Sequence, residues 1–219
     1  MKSKHIKNSL PKAFIALVLL AFCACSDKKE SVQNEEQVEQ LATPDAAPVS
    51  SVKEFYISNK ENISLAVVTV DGPSLNINVG GEMLFGDLKG EKRKYYDQQN
   101  QLVYSVKHKA GESFKLRDKD EKLLWKVKVA GDKVKIANNE EMTNPYQINV
   151  YEEGRVKLKL GEEDRGSIRY EKGAAMMEVN GTYFLRNFTG SHAPGVLMIS
   201  EMDETEKFVI CAELAKLGK

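Results

Sequence analysis

Hydrophobic and polar residues alternate along most of the chain between residues 63 and 186. Asparagines separate Leu75, Ile77 and Val79, and lysines separate the apolar side chains near the end of segment 123–129. A period of two is typical of strands that turn one face to a core and the other to water. This part of the chain is therefore predicted to be β-strand.

Short polar turns separate the apolar runs. Asn180-Gly181 gives the strongest hairpin signal, because it stands between two short apolar runs. We count about 12 short strands, and no connection between them is long enough for a helical crossover. The predicted fold class is mainly β: an antiparallel barrel of about 12 strands around a hydrophobic C-terminal helix. A two-sheet β-sandwich with one packed helix is the alternative.

Two segments, 94–107 and 115–128, repeat one pattern of strand, turn and strand. Asp97 and Asp118 stand at the start of the two turns. An Asp side chain suits that position because it can bond to backbone two residues further on. Each copy therefore predicts a hairpin whose aromatic and valine side chains face inward.

The pattern becomes helical near the end of the chain. Asp203 and Glu206 form a capping-box sequence, which predicts a helix at about 204–217. Apolar residues cover more than half of its circumference, so burial is expected. A strand or helical turn is expected before it, at 195–201. The charged positions are expected on one polar side of the helix: Lys207, Glu213 and Lys216.

The N-terminus has the layout of a secretory signal, with a basic start and an apolar run from Ala13 to Phe22. It resembles a bacterial lipoprotein signal, which implies acylation, for example with palmitate, of a cysteine that follows a small residue. Cys25 follows Ala24 and is preferred over Cys23, which follows a bulky phenylalanine. An ordinary cleaved signal and a membrane anchor are the alternatives, but the run is far shorter than the roughly 20 residues that span a bilayer.

Three regions follow from these observations: a signal peptide at 1–24, an acidic flexible tether at 25–50, and a single β domain at 51–219 that ends in the helix. The tether has few large apolar residues, so it cannot offset the entropy cost of ordering. Cys211 is expected to be a small buried hydrophobe. Six acids and two lysines lie in the tether: Asp27, Glu30, Glu35, Glu36, Glu39, Asp45, Lys28 and Lys29.

Charge balance argues against a nucleic-acid partner. The chain has 32 basic and 32 acidic residues, and loss of residues 1–24 removes four lysines and no acids. The mature protein therefore carries a small net negative charge, whereas nucleic-acid-binding domains are usually basic.

Taken together, the paired hairpins at 94–107 and 115–128 and the apolar C-terminal helix resemble the tubby C-terminal-like superfamily. That group includes the phospholipid scramblases and the plant LURP-one-related proteins. The resemblance covers roughly residues 81–217 and implies a closed antiparallel barrel around one hydrophobic helix. No binding residue of that superfamily can be matched to a position in this sequence.

Catalytic and metal-binding motifs are absent from the sequence: it has no P-loop, nucleophile elbow or dinucleotide fingerprint. Metal sites need clustered ligands, whereas His108 and His192 are far apart and are expected at the surface. We therefore expect no enzyme activity, no metal, and no cofactor other than the covalent lipid on Cys25.

The candidate binding site is a series of lysines on outward strand positions. Such lysines either bind anionic headgroups or form a solvated face that discourages edge pairing. The predicted patch for an anionic surface is Lys126, Lys128, Lys133, Lys135, Lys157 and Lys159, with Lys107 beside it.

The function expected from the sequence is that of a non-enzymatic, lipid-anchored protein of the cell envelope with a binding or scaffolding role. Its expected partners are the membrane, through the anchor, and either anionic lipid or another envelope protein, but not nucleic acid. Ser26 after the modified cysteine would imply the outer membrane, facing the periplasm, under the sorting pattern of enteric bacteria. A phospholipid-handling module is the alternative, by analogy with scramblases.

Overall fold

In the computed structural model, the described residues are 53–109, 112–171, 174–190 and 192–219, and they all belong to one compact unit, Ala46–Lys219. The predicted signal, Cys25 and the tether lie outside the described residues. Within the described residues, two helices follow 14 strands, α1 at Ala193–Val196 and α2 at Glu204–Lys216. The strands are β1 Lys53–Ser58, β2 Ser64–Asp71, β3 Ser74–Val79, β4 Glu82–Lys89, β5 Lys92–Tyr96, β6 Leu102–Lys109, β7 Ser113–Asp118, β8 Leu123–Ala130, β9 Lys133–Ala137, β10 Tyr146–Val150, β11 Arg155–Leu160, β12 Glu163–Arg169, β13 Met176–Val179 and β14 Tyr183–Arg186.

The strands form one antiparallel sheet in which sequence neighbours pair, and β1 also pairs with β14. This pairing curls the sheet into a nearly closed barrel, whose two unpaired edges are β12 and β13. The mainly β barrel is confirmed, and a single continuous sheet excludes the sandwich alternative. The expected count of about 12 strands was too low. β1 precedes the alternating segment, and β12 has a single buried side chain, Ile168.

The up-and-down order gives the barrel two distinct ends. We call the end at which Lys53 begins β1 the proximal end, and the other the distal end. The turns β2–β3, β4–β5, β6–β7, β8–β9 and β10–β11 lie at the proximal end, because each strand reverses the direction of the one before it. The C-terminus of α2 is also proximal, since the Lys216 ammonium donates to the Gly72 carbonyl in the β2–β3 turn.

Helix α2 occupies the interior of the barrel. Residues 207–214 are all buried, and eight successive buried positions cover every side of a helix. Its side chains bond to Arg93 on β5, Trp125 on β8 and Tyr183 on β14, which are widely spaced around the sheet. Each fully buried large apolar side chain contributes about 1.5–3 kcal/mol to stability. The barrel is therefore filled by protein.

The surroundings of α2 differ from the sequence-based expectation in two ways. Lys207 and Glu213 are buried and do not form an exposed polar side, because the sheet surrounds the helix. Asp203 caps the helix, accepting a hydrogen bond from the Thr205 amide at 2.9 Å. Glu206, however, accepts from the Trp125 indole at 2.6 Å, so its carboxylate serves the helix–barrel contact. The turn expected at 195–201 is represented by α1, which begins slightly earlier.

The predicted hairpins are confirmed in atomic detail. Asp97 Oδ1 accepts from the amides of Gln99 and Gln101 at 2.9 and 2.8 Å. Asp118 Oδ1 accepts from the amides two and four residues on at 3.0 and 2.9 Å. Both turns lie at the distal end. The β13–β14 hairpin also follows the prediction, with positive φ at both Asn180 and Gly181.

A third copy of the repeat appears in the structure. Asn139 lies as far beyond Asp118 as Asp118 lies beyond Asp97, and its Oδ1 accepts from the Thr143 amide at 2.9 Å. Asn59 accepts from the Ile63 amide at 2.8 Å in the β1–β2 turn. The fourth residue of each turn has positive φ: Asn62, Asn100, Glu121 and Met142. One turn geometry thus recurs four times at the distal end.

Candidate functional site

The register of β8 and β9 brings the predicted lysines together on the outer surface of the barrel. Lys128 is the cross-strand partner of Lys135, and Lys133 is the partner of Ala130. Cross-strand partners on one face lie about 4.5–5.5 Å apart. Several ammonium groups are therefore close together, and they create a strongly positive surface.

Rows of lysine continue on the neighbouring strands. Lys115 pairs in register with Lys107 on one side and Lys126 on the other. Gln147 separates Lys135 from Lys159, and Asn149 separates Lys133 from Lys157. We call the complete set the cationic face: Lys107, Lys109, Lys115, Lys126, Lys128, Lys133, Lys135, Lys157 and Lys159.

Some lysines of this face are neutralised. Lys115 and Lys126 lie 2.5 and 3.5 Å from the Glu140 carboxylate, and the hydrogen bond from Lys115 is the main cause of the lowered pKa of Glu140. Lys157 and Lys159 lie 3.4 and 3.7 Å from Asp164. Half of the six predicted patch residues are therefore in ion pairs.

The other predicted patch residues carry uncompensated charge. Lys128, Lys133 and Lys135 are exposed and make no ion pair with the residues that the structure describes. They occupy the end of β8 and the start of β9, which places them toward the proximal end. Lys109 lies at the same end of β6. These side chains are the ones free to bind an external anion.

Sequence reasoning missed Lys109 and Lys115. Both could have been found, since Lys109 continues the alternation of Lys107 and Lys115 occupies a strand of the repeat. With Ser113, Lys126 and Lys128 they line a shallow pocket of about 320 Å³ on the outer face. Lys115 and Lys126 contact Glu140, so Lys109 and Lys128 are the lysines of this pocket that are free to bind an anion.

A buried charge cluster lies inside the barrel near the proximal end. Arg93 Nε donates to Glu213 Oε1 at 3.0 Å, and the Tyr95 hydroxyl donates to the same oxygen at 2.8 Å. Arg93 also donates to the Gly86 carbonyl at 3.1 Å and to the Pro73 carbonyl. The cluster ties α2 to β5. Burial, followed by the Glu213 charge, raises the pKa of Tyr95 well above its usual value.

His108 borders this cluster and was expected at the surface. Its Nε2 lies 3.3 Å from Glu213 Oε2, but the two atoms are not aligned for a hydrogen bond. Its side chain is 20% exposed. His192 is also not a surface residue: it is buried, and burial lowers its pKa. The ring of His108 packs against that of Phe114 on β7, with 5.8 Å between the centroids, a contact that depends on strand pairing and was not visible in the local sequence.

Cys211 is buried in α2, as expected. Its Sγ donates to the Ala193 carbonyl at 3.0 Å, and burial strongly raises the pKa of the thiol. A thiol in this state is a poor nucleophile. Cys211 therefore contributes to packing and not to chemistry.

A cleft of about 1040 Å³ opens where β12 and β13 fail to pair at the proximal end. Its floor is apolar, with Met177, Leu185 and Phe188, and its rim carries Glu152 and Glu171 among other polar groups. Toward the distal end, β12 comes close to the β13–β14 hairpin. A Cβ added at Gly166 on β12 would lie 3.4 Å from the side-chain nitrogen, Nδ2, of Asn180. The opening is thus wedge-shaped.

Among the described residues, no group of three or more His, Cys, Asp or Glu side chains could hold a metal ion. No helix in the same residues is long and apolar enough to cross a membrane. Comparison of the chain with models of protein families, with curated proteins and with solved structures finds no match.

Proposed function

We propose that this chain is a non-enzymatic, lipid-anchored protein of the cell envelope whose barrel binds an anionic membrane surface through the cationic face. The observation that carries the proposal is the row of unpaired lysines on β8 and β9. Lys128, Lys133 and Lys135 are exposed, adjacent in register and uncompensated by described carboxylates.

The interior of the barrel supports a surface role over an internal carrier role. Helix α2 is buried along residues 207–214 and occupies the space in which a carrier would hold its ligand. Binding to the outside of the sheet needs no such space. The nearly closed sheet around α2 is close to the closed barrel implied by the tubby C-terminal-like superfamily, which supports that resemblance as a proposal about the fold family.

Electrostatics make the outer face suited to a membrane. A lysine close to an anionic bilayer contributes about 1 kcal/mol. Three or four such residues bind weakly alone, but an anchor would keep the barrel near the surface and raise its effective concentration to the millimolar range. At physiological ionic strength the Debye length is about 8 Å, so binding requires close approach of the face.

The anchor is tested through Cys25. A Cys25→Ala variant should lose incorporation of radiolabelled palmitate and partitioning into detergent, because the acylated thiol is gone. The matched control is Cys23→Ala, which should keep both properties. If Cys25→Ala remains labelled and detergent-soluble, the lipoprotein assignment is wrong.

The face is tested by vesicle flotation of the mature chain carrying Cys25→Ser, so that the anchor does not dominate binding. We expect flotation with phosphatidylcholine vesicles that contain phosphatidylglycerol or cardiolipin, and none with phosphatidylcholine alone. Salt at 0.5 M should abolish it, since the Debye length then falls to about 4 Å.

Matched triple variants distinguish binding by the cationic face from an effect of the total charge of the protein. Lys128→Gln/Lys133→Gln/Lys135→Gln should reduce flotation by about tenfold or more, following about 1 kcal/mol per lysine. The control, Lys60→Gln/Lys94→Gln/Lys122→Gln, removes equal charge from positions off β8 and β9 and should bind normally. Equal loss in both variants, or no flotation of the parent at low salt, would remove the membrane-surface role and leave a protein partner as the remaining class.

A further inference from the structure

The sheet of the barrel is open along one line, between β12 and β13, which we call the seam. β12 pairs with β11 and β13 pairs with β14, and neither has a second partner strand among the described residues. The facing edges therefore carry backbone amide and carbonyl groups that no strand satisfies. Such an edge is a template for the addition of another strand.

The proximal half of the seam is the part that is open to a partner. In the distal half, β12 is bulged at Arg165, because Gly166 pairs with Leu158 while Asp164 pairs with Lys159. The same half lies close to the β13–β14 hairpin. Bulges and close cover are common protections of a strand edge. The register of β12 and β13 has no bulge in the proximal half, where the cleft lies.

The cleft has the dimensions that a short strand requires. It opens between residues 167–169 of β12 and 176–177 of β13. A strand of four residues is roughly 13 Å long, and with about 4.8 Å between strands and about 10 Å of thickness it fills roughly 630 Å³. The volume of the cleft is about 1040 Å³. A short extended segment therefore fits within it.

The floor of the cleft selects every second side chain of such a segment. It presents Met177, Leu185 and Phe188. The Phe188 ring packs edge-on against Phe55, with 5.2 Å between the centroids, so the floor is held by the core. Successive residues of a strand point to opposite faces of the sheet. Alternate residues of the added segment therefore lie over the floor and must be apolar.

The rim selects the intervening side chains by their charge. Glu153 is paired with Arg155 at 2.9 Å, whereas Glu152 and Glu171 make no ion pair with described residues. Arg169 opposes these two carboxylates, so the rim keeps a negative charge that favours lysine or arginine in a partner. A second copy of the chain is disfavoured, because a symmetric contact between two seams would bring the same carboxylates together.

We propose that the cleft binds an extended segment of a partner protein, in which apolar residues alternate with lysine or arginine, and adds it to the seam as a strand. The apolar side chains of the segment cover the floor, and its cations lie near Glu152 and Glu171. The unpaired lysines of the cationic face lie on β6, β8 and β9. Binding at the seam therefore does not depend on the proposed membrane role.

Fluorescence anisotropy of a labelled peptide tests the binding. The probe is an eight-residue peptide in which valine and lysine alternate, and the protein is a chain of residues 25–219 that carries Cys25→Ser. We expect saturable binding at protein concentrations up to about 1 mM, since a short ladder gives a weak complex. The matched control carries N-methyl groups on its four central backbone nitrogens. It keeps the side chains and the charge but loses backbone donors, so it should bind at least about tenfold more weakly.

Hydrogen exchange of the protein locates the bound peptide. Strand addition should slow the exchange of amides in residues 167–169 or 176–177 and leave the distal turns unchanged. Equal affinity for the two peptides would exclude strand addition. Protection at other residues without protection at the seam, or no binding of the valine–lysine peptide at about 1 mM, would likewise overturn the proposal.

Charge reversal at the rim tests the preference for cations. Glu152→Lys/Glu171→Lys should weaken binding of the peptide by about tenfold, because two attractions become repulsions. The control, Glu61→Lys/Glu82→Lys, changes the net charge equally at exposed distal positions and should bind normally. All four side chains are exposed, so both variants should fold, which circular dichroism checks. Equal loss in both variants would show that the rim does not select the peptide.

Sedimentation of the protein without peptide tests the other occupant. The chain should remain a monomer at the concentrations used for anisotropy, with the amides of residues 176–177 in fast exchange. A dimer that forms as concentration rises and protects these amides would assign the seam to a second copy, and the proposal of a partner protein would be wrong.

Discussion

Arg93 and Glu213 place opposite charges in the interior of the barrel, where each side chain is at most 1% exposed. Taking two charges out of water is costly, and the cost is offset only by good geometry and further hydrogen bonds. Those bonds are present: Tyr95 donates to Glu213, and the guanidinium donates to two carbonyls. The side chains therefore depend on one another.

A double-mutant cycle should show this dependence. Glu213→Leu or Arg93→Met alone should lower the free energy of unfolding by about 3–5 kcal/mol, because each leaves a buried group unpaired. Arg93→Met/Glu213→Leu should cost clearly less than the two single changes together. Urea unfolding followed by Trp125 fluorescence gives the values. Additive effects of the two substitutions would contradict the prediction. The control is Lys119→Gln, which removes an exposed ion pair and should change the free energy of unfolding by less than about 1 kcal/mol.

The buried Tyr95 and the partly buried Tyr104 predict a loss of stability at alkaline pH. Burial, with the Glu206 and Asp203 charges, raises the pKa of Tyr104 to about 12. The pKa of Tyr95 is also raised well above 10. Below pH 10 both the folded and unfolded chains keep these protons, so stability is unaffected. Above pH 10 the unfolded chain ionises first, and the free energy of unfolding falls as pH rises toward 12.

The measurement is the urea midpoint at pH 8, 10 and 11.5, with Tyr104→Phe as the comparison. The variant should lose less stability between pH 10 and 11.5 than the parent protein, because it lacks one phenol that ionises on unfolding. Identical pH dependence in both proteins would show that Tyr104 does not titrate as its surroundings require.

At the scale of elements, one turn joins four pairs of strands at the distal end. An Asn or Asp oxygen accepts backbone amides across each turn, at Asn59, Asp97, Asp118 and Asn139. Two copies were recognisable in the sequence because their flanking strands also match. Asn139 was missed because its turn is followed by a longer loop before β10.

The natural occurrence of Asn in two of the turns predicts how Asp118 can be changed. Asp118→Asn keeps the accepting oxygen and should leave stability within about 0.5 kcal/mol, whereas Asp118→Ala removes both hydrogen bonds and should cost about 1 kcal/mol or more. Thermal unfolding of the two variants, measured side by side, gives the loss of stability in each. Equal cost for both would mean that charge, and not the accepting oxygen, matters at this turn.

Helix α2 was predictable as an element but its surroundings were not. Its start at Asp203 and its apolar composition are local properties, and the helix lies where they place it. The partners of Lys207, Glu213 and Glu206 depend on strands far away in the sequence, so no local pattern indicates them. Gly86 shows the same limit: an added Cβ would lie 2.5 Å from the Tyr95 ring, a packing need that one strand alone does not show.

For the whole molecule, the enclosed helix predicts that Cys211 is shielded until the barrel opens. The thiol is fully buried and its pKa is raised. In a chain of residues 25–219 that carries Cys25→Ser, Cys211 should react with a thiol reagent at least about 100-fold more slowly in buffer than in denaturing urea, since reaction requires opening of the structure. Reaction in buffer at the rate found in urea would show that the barrel does not enclose α2.

The sequence by itself determined the strand class, the hairpins at Asp97, Asp118 and Asn180, the C-terminal helix and the outward lysines, because periodicity, turn chemistry and capping act over a few residues. Tertiary structure alone decided that β1 pairs with β14, that α2 fills the barrel with Glu213 bonded to Arg93, and which lysines stay unpaired. Those outcomes depend on contacts between residues distant in the chain. The charge of a lysine is visible in the sequence, but its neutralisation by Glu140 or Asp164 is a property of the fold.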